Sequence, residues 1–172
     1  IPNLAELLDL VALGTVADVV PLDANNRILT WQGMSRIRAG KCRPGIKALL
    51  EVANRDPQKL AASDLGFALG PRLNAAGRLD DMSVGVALLL CDNIGEARVL
   101  ANELDALNQT RKEIEQGMQV EALTLCEKLE RSRDTLPGGL AMYHPEWHQG
   151  VVGILASRIK ERFHRPVIAF AP

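Results

Sequence analysis

The sequence predicts an α/β protein that is mainly α-helical over the 172 residues given. Three observations carry this. Apolar residues recur at helical spacing near the start, at Leu4, Leu7, Leu8, Val11 and Ala12. They recur again at positions 97, 100, 104, 107, 114, 118, 122, 125 and 129, in a run without proline from Ile94 to about Glu130. The C-terminal part then reads strand, helix, strand, which is the order of a parallel β-α-β unit.

The elements follow in order. Asn3 is a plausible N-cap for a helix from Leu4 to Val20, and Pro21 should end it. A second helix runs from about Asn25 to Ile37 and is closed by Gly40. Pro44 opens a third, Gly45 to Val52, at the favoured first-turn position. Ser63 can cap a fourth, Asp64 to Leu69, and Pro71 forces a break before Arg72 to Ala76. Val84 to Leu90 reads as a short buried helix. The run from Ile94 to Glu130, as one helix, would span roughly 50 Å at 1.5 Å per residue, a length that suits a connector between domains. The alternative is a hairpin that breaks near Gly117. Arg131 to Gly139, with Pro137, Gly138 and Gly139, reads as a boundary loop. Leu140 to Tyr143 is a strand, His144 to Gly150 a loop, Val151 to Phe163 a helix and Pro166 to Phe170 a strand.

Composition excludes several classes. A hydrophobic share of 47% with 24% charge is that of an ordinary globular chain, and with 3% aromatics its core must be aliphatic. Cys42, Cys91 and Cys126 lie far apart and form no CxxC, so the chain offers neither a zinc site nor a disulfide framework. They read as reduced, mostly buried thiols of a cytoplasmic protein. No long apolar span or targeting segment is visible, so no membrane role is expected. The first residue is Ile, and the last strand-like run has no partner strand after it; a piece of a longer protein is expected. The net charge is −1, but its distribution is uneven. Residues 1–26 carry Glu6, Asp9, Asp18 and Asp23 and no cation, whereas residues 27–55 carry Arg27, Arg36, Arg38, Lys41, Arg43, Lys47 and Arg55 against Glu51 alone. This fits a metal site beside a polyanion track, although composition alone favours a solvated helical face.

Two segments concentrate the chemistry. Leu13 to Leu22 places Asp18 in a run of Val and Ala, where a carboxylate is costly unless a cation or donor compensates it. Gly70 to Leu79 sets Arg72, Asn74 and Arg78 among small residues that a phosphate can approach. Asn74 and Arg78 share a helical face. The alternatives are a helix-end Asp18 paired with an arginine, and arginines that bridge carboxylates. Further on, Trp147 and His148 precede a glycine-containing turn that opens a helix, where free N–H groups can meet an anion and an indole can stack on a base. Arg158 could reach a phosphate from that helix. A core plug and a helix cap are the alternatives for Trp147 and His148.

Leu10 to Leu22, Gly70 to Leu79, Leu107 to Lys112 and Trp147 to Ile154, in this order over nearly the whole chain, resemble the RecJ family of single-strand-specific exonucleases in the DHH phosphoesterase superfamily. The resemblance implies that 1–92 is the C-terminal part of a DHH catalytic domain, 93–133 a connector helix and 134–172 the start of the DHH-associated domain. It implies a 5′-to-3′ exonuclease on single-stranded DNA that uses Mn²⁺ or Mg²⁺ and serves DNA repair and recombination. Single-strand-binding protein and a helicase are the implied partners, and the enzyme would be a cytoplasmic monomer. Of the family's metal ligands only the last carboxylate matches, at Asp18; the Asp-rich and Asp-His-His motifs do not occur here. Asp18 is thereby the implied catalytic and metal-binding residue. Arg72, Asn74, Arg78, Trp147, His148 and Arg158 are the nucleic-acid candidates. Since one carboxylate is a poor site for a hard divalent ion, the chain alone should be inactive. Two other readings stay open: a phosphoesterase of the same superfamily acting on short oligonucleotides, and a non-catalytic nucleic-acid-binding relative.

Overall fold

The computed structural model describes residues 3–133 and 136–172. They divide into two compact units, Ile1–Asn108 and Gln109–Pro172.

In the first unit a 3-10 turn, Leu4–Leu7, leads into α1 (Leu8–Ala17). Asn3 caps it as predicted, its side chain accepting from the Ala5 amide at 3.2 Å. Helix α2 (Ala24–Arg38) starts at Asp23, whose carboxylate accepts from the Asn26 amide at 2.8 Å. The two helices pack at Gly33, where a Cβ would lie 2.6 Å from that of Ala12 and inside the carbonyl of Leu8. Helix α2 stops at Gly40, in the left-handed region at φ 72°. Helix α3 (Pro44–Val52) begins at Pro44, as expected. Its start is tied to α1 by Asp9, a fully buried carboxylate that accepts from the amides of Leu10 and Arg43, both at 2.8 Å. Those two amides satisfy the charge that burial would otherwise penalise.

The next stretch departs from expectation. Instead of a helix broken before Arg72, α4 (Ala62–Asp64) passes through a π-helical turn, Leu65–Leu69, directly into α5 (Gly70–Leu79). The widened turn explains why Pro71 breaks nothing. The Gly70 amide already donates to the Leu65 carbonyl, five residues back, so the missing N–H of Pro71 falls where the ladder has shifted register. The cap is Asp64, accepting from the Ala61 amide at 2.8 Å, while Ser63 stays exposed. Helix α6 (Ser83–Leu90) is only half buried: Gly85 and Leu88 face the core, and Val86 and Leu90 face out. An aliphatic core of Leu13, Ile37, Ile46, Leu49, Leu65, Leu69 and Leu104 closes the unit.

Helix α7 (Ile94–Arg133) is unbroken through Gly117, and its 40 residues rise about 60 Å. The hairpin alternative is therefore excluded. The expected boundary loop begins later than Arg131; residues 134 and 135 lie outside the described residues. In the second unit, β1 (Leu140–Tyr143), α8 (Val152–Phe163) and β2 (Val167–Phe170) form the predicted β-α-β unit. The strands are parallel, with Leu140 opposite Val167 and Tyr143 opposite Phe170. Leu140, Met142, Val151, Leu155 and Ile159 are buried.

Candidate functional site

Helix α1 ends at Ala17, short of the Val20 expected from Pro21. The cause is local. Val19 turns left-handed at φ 54°, its amide donating to Val16 O at 3.2 Å and the Val20 amide to Thr15 O at 3.0 Å. This is the Schellman closure, usually built on glycine. A β-branched residue there costs about 1–2 kcal/mol. Asp18 is the C-cap residue, exposed, and among the described residues its carboxylate has neither a donor nor an ion-pair partner. The arginine pairing considered for it is not formed. Pro21 O accepts from the Asn26 side chain at 2.9 Å, which ties the turn to the start of α2.

The two motifs come together in this unit. A Cβ at Gly70 would lie 3.1 Å from that of Ala17, and one at Gly66 would lie 3.4 Å from Val16 Cγ1. Their absence lets the π turn and the head of α5 sit directly on the end of α1. On α5, Leu73, Ala75 and Ala76 are buried and Asn74 and Arg78 are exposed, four residues apart on one face. Arg72 is half-buried; its Nε donates to Asp105 Oδ1 at 2.7 Å and its Nη1 to Ala68 O at 2.7 Å. It ties α5 to α7. An open cleft of about 340 Å³ lies between Val19 and Phe67, with Val16, Ala17 and Gly66 along it. Both flanking side chains are 86% exposed.

The second unit holds the other candidates. Trp147 is buried, its Nε1 donating to Glu121 Oε2 at 2.8 Å. This corrects the stacking role: a ring packed away offers no face to a base, and Trp147 plugs the core instead. His148 shapes the entry to α8. Its Nδ1 accepts from the Gly150 amide at 3.0 Å and its carbonyl from the amides of Val151 and Val152. Arg158 is exposed, donating to Glu115 Oε1 at 3.2 Å and lying 3.7 Å from Glu161. Sequence reading missed Asp9, Asp105, Glu115 and Glu121, because a lone carboxylate carries no mark of its distant partner.

Chemistry elsewhere is sparse. Burial pushes the thiols of Cys42 and Cys126 up, with Asp9 adding to the effect at Cys42, so neither is a ready nucleophile. Among the described residues no three His, Cys, Asp or Glu side chains converge on a metal position, and no helix is long and apolar enough to cross a membrane.

The fold and site define an α/β protein segment in which an exposed carboxylate stands beside a cationic helix, joined by one long helix to a β-α-β unit. No family model matches the sequence. It is 99% identical over 172 residues to the single-stranded-DNA-specific exonuclease RecJ of Escherichia coli strain K12, covering 100% of this chain and 30% of that protein. It is 39% identical over 163 residues to RecJ of Bacillus subtilis strain 168, covering 95% of this chain and 20% of that one. The crystal structure of RecJ in complex with Mg²⁺ from Thermus thermophilus matches with a TM-score of 0.84 at 37% identity, over 99% of this chain and 26% of that one. A structure of exonuclease RecJ bound to manganese matches with a TM-score of 0.82 at 37% identity, over 99% of this chain and 42% of that one. The chain belongs to the RecJ family. It spans 30% of the length of the Escherichia coli and Salmonella typhimurium relatives it matches.

Proposed function

We propose that the full-length protein is a metal-dependent exonuclease that hydrolyses phosphodiesters of single-stranded DNA from 5′ to 3′, and that this chain supplies part of its site. The observation that carries the reading is the exposed carboxylate of Asp18, without a donor or ion pair among the described residues, at the end of a helix that meets the head of α5, on which Asn74 and Arg78 are exposed. Relatives whose names specify single-stranded DNA and structures that hold Mg²⁺ or Mn²⁺ support it. An exposed oxygen pair suits a hard divalent ion, but one carboxylate does not complete its shell. Asp18 is thus one ligand, and the others come from outside this chain. The metal, when bound, supplies charge neutralisation and an activated water.

The remaining residues act on the strand. Arg78 forks onto a phosphate and Asn74 holds a phosphate oxygen or orients Arg78. Arg72 keeps α5 in place through Asp105. Arg158 contacts a phosphate from α8, whose entry turn is shaped by Trp147 and His148. The assignment includes 1–92 as the end of the catalytic domain, 93–133 as connector and 134–172 as the start of the DHH-associated domain. It includes a cytoplasmic monomer in DNA repair and recombination, meeting single-strand-binding protein and a helicase.

The test follows a strand labelled at its 5′ end, alone and as a duplex, with the full-length enzyme in Mn²⁺. Label released early from the single strand supports the reading; cutting that ignores the strand's end or persists without metal removes it. For Arg78→Ala, weaker strand binding is expected, with the slope of log affinity against log salt shallower by about 0.7. An unchanged slope would assign Arg78 to the fold.

A further inference from the structure

We propose that the outer face of α2, with the turn that follows it, is a second contact surface for single-stranded DNA, separate from Asn74 and Arg78 on α5. The inference rests on the reading of the full-length protein as a single-strand exonuclease. With 3% aromatics the chain has few rings to stack on a base, and Trp147 is buried. Trp31, in the middle of α2, is 61% exposed. An open hollow of about 580 Å³ runs beside it, with Leu22, Arg27, Ile28, Gln32 and Met34 among the residues along it. Arg27 stands one turn before Trp31 on the same face. An indole beside a guanidinium holds a base and its phosphate without regard to sequence.

Charge favours a nucleic acid over an apolar partner. Among the described residues Arg27, Arg36, Lys41, Arg43 and Lys47 form no ion pair. Glu51, the one carboxylate between 27 and 55, is held by Arg98 through both oxygens, at 2.7 and 3.1 Å. Asp9 is buried, its charge met by the amides of Leu10 and Arg43. The cations gather where α2 passes into α3: the Lys41 amide donates to Arg36 O at 2.9 Å, and the Lys47 amide to Arg43 O at 3.1 Å. Helix stability accounts for Arg36, which complements the C-terminal end of α2. It does not account for Arg43 and Lys47, which open α3 where acidic residues are favoured and none occurs. From Arg27 to Arg36 the helix rises about 14 Å, a path of a few nucleotides. That path starts one turn into α2, just after the loop that follows Asp18.

The test uses the full-length enzyme and a labelled single strand of about 20 nucleotides, longer than one binding groove usually covers. Strand affinity without metal, KM and kcat in Mn²⁺, and melting temperature are measured for Trp31→Ala, for Trp31→Phe and for the double variant Arg36→Gln with Lys41→Gln. Trp31→Ala should bind the strand about tenfold more weakly and raise KM alike, with kcat kept, whereas Trp31→Phe should keep most of the affinity. The double variant should lower the slope of log affinity against log salt by about 1.4, two contacts at about 0.7 each. All should melt within about 2 °C of the parent, since Trp31 and Lys41 are exposed and Arg36 forms no ion pair. Parental strand binding in Trp31→Ala, or an unchanged slope in the double variant, overturns the inference; a face built for an acidic protein would give that result. A loss of affinity that follows a fall of many degrees in melting temperature overturns it too, and assigns the face to packing against the rest of the full-length chain. If the parent does not prefer a single strand to a duplex, the reading of the enzyme fails and the inference with it. If the parent does and the variants match it, the inference alone fails.

Discussion

Asp18→Ala in the full-length enzyme should lower metal-dependent cleavage by about 10³ or more while the protein melts at the same temperature or slightly higher. The stability half of this result follows from where Asp18 sits. It caps the C-terminus of α1, where the last carbonyls carry partial negative charge. A carboxylate is disfavoured there by about 0.3–1 kcal/mol, so alanine removes a local penalty. It also removes no bond, since no donor reaches the carboxylate among the described residues. The next residue adds a second penalty, the left-handed Val19. Two adjacent residues that each break a local rule fit the proposed use of Asp18 as a metal ligand. Rates of nucleotide release, melting curves and strand affinity measured without metal separate the possibilities. Preserved turnover would contradict the metal role; a fall of many degrees would make Asp18 a structural residue.

What the sequence makes legible is what neighbours in the chain decide. Asn3, Pro44 and Gly40 each set a helix boundary through their own backbone or side chain, and each does so in the structure. The strand–helix–strand order and the unbroken α7 follow from periodicity. The misses have another character. Pro71 is tolerated because the helix before it widens to a π turn, and that turn is seated by Gly66 and Gly70 against the end of α1, far off in the chain. Nothing near Arg72 in the chain announces that Asp105, 33 residues on, accepts from its Nε. Trp147 looks like a stacking platform until packing buries its ring, with Glu121, 26 residues back, accepting from its indole N–H. In the candidate site, the residue types were legible and their proximity was plausible. That Asp105 would hold Arg72 was not, because carboxylates look alike in sequence and only packing selects among them.

Two glycines of the α1–α2 pair should respond to alanine in opposite directions. Gly33→Ala is expected to destabilise the protein by about 3 kcal/mol, at the upper end of what overpacking costs. The new Cβ would meet the Leu8 carbonyl and the Ala12 Cβ at 2.6 Å, so the groups in the way are backbone and a Cβ that cannot rotate aside. Helix α2 must then lift off α1. Gly14→Ala meets nothing within 4 Å and should stabilise by about 1 kcal/mol, the ordinary gain of alanine over glycine inside a helix. Thermal unfolding of the two variants checks both signs. The first variant also bears on the site, because α2 begins at the turn that follows Asp18 and holds Pro21 O through Asn26. Lifting α2 therefore disturbs the turn before it unfolds the protein. Activity lost by Gly33→Ala at 25 °C should exceed the fraction unfolded at that temperature. If the two losses are equal, the crossing of α1 and α2 serves stability alone.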